Sequence, residues 1–116
     1  DAVGNPNLLR MAAKDIESNA ANRAEFVKKL LDAAINTLSG SYNIMIYNLG
    51  HDYTENLHGI KSYTSHVFPG DGTQFGLWIF EHGTFENRGG RGWKNWGFMG
   101  RFTRNRKGNK VYFKKR

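Results

Sequence analysis

The spacing of hydrophobic positions changes near residue 40, from one every three or four residues to one every two. Before that point, Leu8, Leu9, Met11, Ala12, Ile16 and Ala20 form a modest helical stripe, with Asn7 placed to cap it and a break expected at Ser18-Asn19. A cleaner stripe follows: Phe26, Val27, Leu30, Leu31, Ala34, Ile35 and Leu38 share one face, with Glu25, Lys28, Lys29, Asp32 and Asn36 opposite. The spacing predicts a helix over residues 23–38, capped by Asn22 with Glu25 as its capping-box partner and stopped by Ser39-Gly40. Packing on a sheet is the ordinary use of such a stripe. The alternative is a helix that detaches into a membrane interface, a role for which Glu25 and Asp32 offset too much of the charge of Lys28 and Lys29.

From Tyr42 onward, β-branched and aromatic residues dominate. Residues 42–49 read as a central strand, apolar on both faces, and 50–56 as a polar connection. Residues 59–68 and 73–81 flank the turn Pro69-Gly70-Asp71-Gly72 and predict an antiparallel hairpin. A short strand at 83–87 precedes a glycine-rich loop. Residues 93–103 then predict one long strand with Trp96, Phe98 and Phe102 on the core face, and Gly97 and Gly100 marking a bulge or close approach. A charged turn at 104–109 leads to a last strand at 110–114. Helices first and strands afterwards predict an α+β fold in a single domain over 1–116: an N-terminal helical segment (1–40) on an antiparallel sheet or small β-sandwich of about five or six strands (41–116).

Charge sharpens this picture. Of 17 Lys and Arg in the 116 residues, eleven fall in 88–116, which holds no Asp or Glu; the first 87 residues carry the other six with all ten acids, leaving the two parts at +11 and −4. Such a field attracts anions, whether phospholipid head groups, acidic glycans or nucleic acid. With no cysteine, disulfides, thiolate zinc sites and cysteine nucleophiles are excluded. His51, His58, His66 and His82 show no metal-ligand spacing, so no metal and no cofactor are expected. The acid/base pairs available to a ribonuclease are Glu55 with His58, or Glu81 with His82 and His66, but Glu81 and His82 have opposite strand parity. No apolar run is long enough for a membrane-spanning helix. The start at Asp1 rather than Met is read as processing of a secreted product.

Several runs in order resemble the YvgO-like bacillar stress proteins: Tyr-Asn-Ile-Met-Ile-Tyr-Asn-Leu at 42–49, Leu-His-Gly-Ile at 57–60, Phe-Gly-Leu-Trp-Ile-Phe-Glu-His-Gly-Thr-Phe-Glu-Asn at 75–87 and Trp-Lys-Asn-Trp-Gly-Phe-Met-Gly-Arg-Phe at 93–102. The resemblance implies a secreted protein with antifungal activity. It also implies a neutral or acidic surface around the glycine-rich loop and final turn, from which this chain departs with Arg88, Arg91, Lys94, Arg104, Arg106 and Lys107. In layout alone, the helix, sandwich and basic tryptophan-bearing loop are similar to actinoporin-type membrane-binding proteins.

The expected function is that of a non-enzymatic, secreted antimicrobial or antifungal defence protein that binds anionic target-cell surfaces, with perturbation of the membrane as a further expectation. The candidate residues are Arg88, Arg91, Trp93, Lys94, Arg104, Arg106, Lys107, Lys110, Tyr112 and Lys114, where interfacial aromatics and cations are interleaved. Trp93 is expected to be exposed and Trp96 to be core. The same residues admit two alternatives: a nucleic-acid-binding module or ribonuclease-like toxin, with Trp93 and Trp96 as stacking platforms, and a lectin-like binder of cell-wall glycans.

Overall fold

The computed structural model describes residues 14–37, 41–90 and 92–116. The first stripe at 8–12 with its cap Asn7, the helix end at Leu38, the stop at Ser39-Gly40 and Arg91 lie outside the described residues. Residues 14–19 are helical (α1) and the helix ends after Asn19, where the break is expected. Arg23–Thr37 forms α2. Asn22 caps it, its Oδ1 accepting the Glu25 N–H at 2.9 Å, and the Glu25 carboxylate reaches back to the Ala21 N–H at 2.6 Å.

Eight strands follow: β1 (Asn43–Asn48), β2 (Tyr53–His58), β3 (Ser62–Val67), β4 (Gln74–Phe80), β5 (His82–Asn87), β6 (Trp96–Met99), β7 (Phe102–Arg104) and β8 (Lys110–Phe113). They form two antiparallel four-stranded sheets, one in the order β3-β4-β1-β6 (sheet A) and the other β2-β5-β8-β7 (sheet B). The α+β class and the helix-on-sandwich arrangement match the expectation, but the strands outnumber it for two reasons. The segment read as a polar connection, 50–56, holds the first four residues of β2, whose outward residues Thr54, Asn56 and His58 hide the strand pattern while Tyr53 and Leu57 face inward. The single strand expected at 93–103 is two, β6 and β7, divided at Gly100 (φ 142°) and lying in different sheets.

Alternation then builds three layers. Ile44 and Ile46 of β1 and Phe75, Leu77 and Ile79 of β4 meet Phe26, Val27, Leu30, Leu31 and Ala34 of α2. On the other face of sheet A, Met45, Tyr47, Trp78, Phe80 and Trp96 meet Leu57, Phe85, Val111 and Phe113 of sheet B. The central strands β1 and β4 are thus sealed on both sides, as the doubly apolar reading of 42–49 requires. Each fully buried large side chain contributes roughly 1.5–3 kcal/mol. Asn43, fully buried at the start of β1, ties the sheets together: its Nδ2 donates to the carbonyls of Glu81 (2.7 Å) and Lys114 (2.9 Å), and its Oδ1 accepts the Arg101 N–H (2.8 Å).

Candidate functional site

β6 ends sheet A and β7 ends sheet B, and the short link through Gly100 sets both on the same side of the sandwich. Here the inter-sheet core opens into a cleft of about 240 Å³ lined by Trp93, Trp96, Gly97, Phe98, Phe102 and Arg104. Trp93 lies just before β6 and is 47% exposed; Trp96, three residues on, is 3% exposed and belongs to the core. Gly97 makes this arrangement possible, since a Cβ there would meet Trp93 Cζ3 at 3.0 Å and Val27 Cγ1 at 2.9 Å. Phe98 contacts both Trp96 (ring centroids 4.8 Å) and Phe102 (4.9 Å). Phe102, expected in the core with them, lies at its margin and is 39% exposed, because β7 is the edge strand of its sheet.

Arg104 closes the cleft. Its guanidinium stands 5.4 Å from the Trp96 ring centre and 5.2 Å from that of Phe98. The Nε and Nη2 groups both donate to the Gly108 carbonyl, at 3.2 and 2.7 Å, so the following turn fixes the guanidinium plane. Gly108 takes φ 79° in that turn, and Asn105 completes it by accepting the Lys110 N–H at 3.1 Å. Across the cleft, Lys28 of α2 lies 5.2 Å from the Trp93 ring centre.

The other candidate residues occupy separate places. Lys94 borders a depression with Arg23 and Asp71 near the start of α2. Arg106 and Lys107 are exposed in the β7–β8 turn, Lys110 and Tyr112 belong to the outward parity of β8, opposite to buried Val111 and Phe113, and Lys114 is exposed just after it. Lys110 lies 5.5 Å over the Tyr112 ring and pairs in register with Glu86. Arg88 has its charge answered: Nε and Nη2 bond the two carboxylate oxygens of Asp52 at 2.9 and 3.2 Å, and Nη1 bonds Thr54 Oγ1 at 2.5 Å. That contact draws the Asp52 carboxyl below its ordinary value and raises the Arg88 guanidinium. The cationic third of the chain therefore comprises an aromatic cleft, an outward sheet face and a turn rather than one cluster.

The acid/base pairs considered for a ribonuclease are not assembled. His66 is buried beside Thr64 Oγ1 at 2.8 Å, Glu81 pairs with Lys61 at 3.7 Å, and His82 stacks on His58 across β2 and β5 with ring centres 5.1 Å apart. Glu55 Oε1 accepts the Leu57 N–H at 3.0 Å. Among the described residues, no group of three or more His, Asp or Glu is placed to hold a metal ion, and no helix is long and apolar enough to cross a membrane. Sequence reasoning missed Phe98, Phe102 and Gly97 as parts of the site. The available signal was the i, i+2 pair Phe102/Arg104 just after Gly100, an aromatic and a cation on one face of a short edge strand.

No family model matches the chain, and no solved structure matches it. The chain is 40% identical over 104 residues, 90% of its length, to a Bacillus subtilis (strain 168) protein named stress response protein YvgO. It spans 61% of that relative's length.

Proposed function

The chain belongs among the YvgO-like stress response proteins, and from that premise we propose that it is a secreted, non-catalytic antimicrobial or antifungal defence protein that binds anionic target-cell surfaces. The observation that carries the reading is the exposure of Trp93, Phe102 and Tyr112 within a segment, residues 88–116, that has eleven cations and no acid. Exposed large aromatics cost hydration unless a partner covers them, and nearby cations draw that partner from among polyanions. Arg104, Arg106, Lys107 and Lys114 supply the attraction; Arg88, neutralised by Asp52, adds little.

Co-sedimentation with intact fungal and bacterial cells and with anionic and zwitterionic vesicles tests this function. Binding should rise with anionic charge, fall as salt rises and weaken in Trp93→Ala and Arg104→Gln, with dye release reporting membrane perturbation. Absence of binding to both cells and anionic vesicles at low salt overturns it.

A further inference from the structure

The cleft between β6 and β7 has the volume of a single ring, with Arg104 in its lining and Lys28 beside the Trp93 ring. Arg104 differs from the paired arginines of this chain. Arg23 lies 3.6 Å from Asp71 and Arg88 pairs with Asp52, but Arg104 faces no carboxylate among the described residues. Two of its nitrogens are held by the Gly108 carbonyl, so the guanidinium is oriented before any ligand arrives, with Nη1 bonded to no protein group among the described residues. Beside it, Trp93 and Phe102 offer exposed aromatic surface, and no acidic side chain lines the cleft.

We propose that this cleft binds one ring of an acidic saccharide, a uronic acid unit of a polyanionic glycan, with its carboxylate on Arg104 and its C–H face on Trp93. The inference rests on the proposed binding of anionic cell surfaces and names what is recognised there. A uronic acid carries its flat apolar face and its carboxylate on the same ring, so one unit satisfies the aromatic wall and the guanidinium within about 240 Å³. A nucleotide separates base from phosphate by a sugar and needs a longer groove. Trp96, the second ring that could stack on a base, is buried in the core and covered by Arg104. A bilayer presents a plane that cannot enter so narrow an opening. Individual contacts with one ring are weak, and a repeating glycan strengthens them by presenting the next unit at high local concentration.

The test is titration of the whole chain with trigalacturonate, its neutral methyl ester and a uridine oligonucleotide, read by calorimetry and by the Trp93 indole N–H resonance. Trigalacturonate should shift that resonance while the methyl ester does not. Trp93→Ala and Arg104→Gln should each weaken binding about tenfold. The double variant Lys29→Gln/Lys61→Gln, whose ammonium groups pair with Glu25 and Glu81 and do not line the cleft, should change it about twofold or less. If Arg104→Gln does not fold, the wild-type indole shift with acid and not ester still decides the matter.

Equal binding of the methyl ester overturns the proposal, as does an oligonucleotide that shifts Trp93 at lower concentration or an equal loss in the Lys29/Lys61 variant. Cell and vesicle binding that persists without any response to trigalacturonate overturns this inference alone; loss of all three overturns the proposed function as well.

Discussion

Asn43 in sheet A donates a 2.9 Å hydrogen bond to the carbonyl of Lys114, just beyond the last strand of sheet B. The same side chain holds Glu81 and Arg101, so one buried amide satisfies three backbone groups, two in connections between the sheets and one just after β8. Asn43→Ala leaves those groups without their partner. The expected loss is about 2–4 kcal/mol, visible in urea denaturation as a lower midpoint with an unchanged slope. Asn43→Asp should be as damaging, since a carboxylate cannot donate to the Glu81 and Lys114 carbonyls.

Gly100 stands against this amide. Its φ of 142° disfavours an L side chain, and a Cβ there would collide with Asn43. Gly100→Ala should therefore destabilise by more than about 1 kcal/mol and also disturb the β6–β7 link that forms the cleft. A Tm drop should appear together with a changed Trp93 fluorescence maximum. A drop without the spectral change would separate the backbone effect from the site.

The Arg88–Asp52 pair sets a pH dependence. The Arg88 hydrogen bond is the main reason the Asp52 carboxyl lies below its ordinary value of 3.8 in the folded chain. The pair therefore adds stability above about pH 3.8, and that contribution is lost as pH falls through the lower, folded value. Thermal melts of wild type and Asp52→Asn should differ at neutral pH and converge in acid below that range. Arg88→Ala should lower the neutral-pH Tm in the same way yet leave cell binding nearly unchanged, because its charge is already offset.

Tyr47 gives the opposite limb. Its hydroxyl, shared between the Asp52 carbonyl at 2.7 Å and Asn87 Oδ1 at 2.8 Å, is raised above its ordinary 10.0 chiefly by burial. With the folded value higher than the unfolded one, the contribution is complete below pH 10 and is lost as pH climbs through the folded value. Absorbance at the tyrosinate band should show two residues ionising late, Tyr47 and Tyr53, the latter also raised above its ordinary 10.0 chiefly by burial. Tyr47→Phe should remove one of these two late ionisations, leaving that of Tyr53, and cost about 1–2 kcal/mol at neutral pH.

The helix and the central strands were legible because each carries a single periodicity over many residues: Phe26 to Ala34 at helical spacing, Ile44 to Tyr47 and Phe75 to Phe80 apolar on both sides. Their burial in sheet A follows from that pattern. β2 was not legible, since a strand with a solvated face and only Tyr53 and Leu57 turned inward has the composition of a loop. Trp93 was legible as exposed and Trp96 as core from parity with Phe98. Phe102 broke the parity argument, because Gly100 moves the chain into another sheet and restarts the alternation. Arg88 also looked displayed on local grounds; only the antiparallel pairing of β2 with β5 brings Asp52, 36 positions earlier, against it.

The outward rows of sheet B reach water at Thr54, Thr103 and Tyr112, while both faces of β1 and β4 in sheet A are enclosed. Exchanges at such outward positions typically alter stability by no more than about 0.5 kcal/mol. Evolution can therefore retune the electrostatic character of that wall from one lineage to another while the fold underneath stays constant.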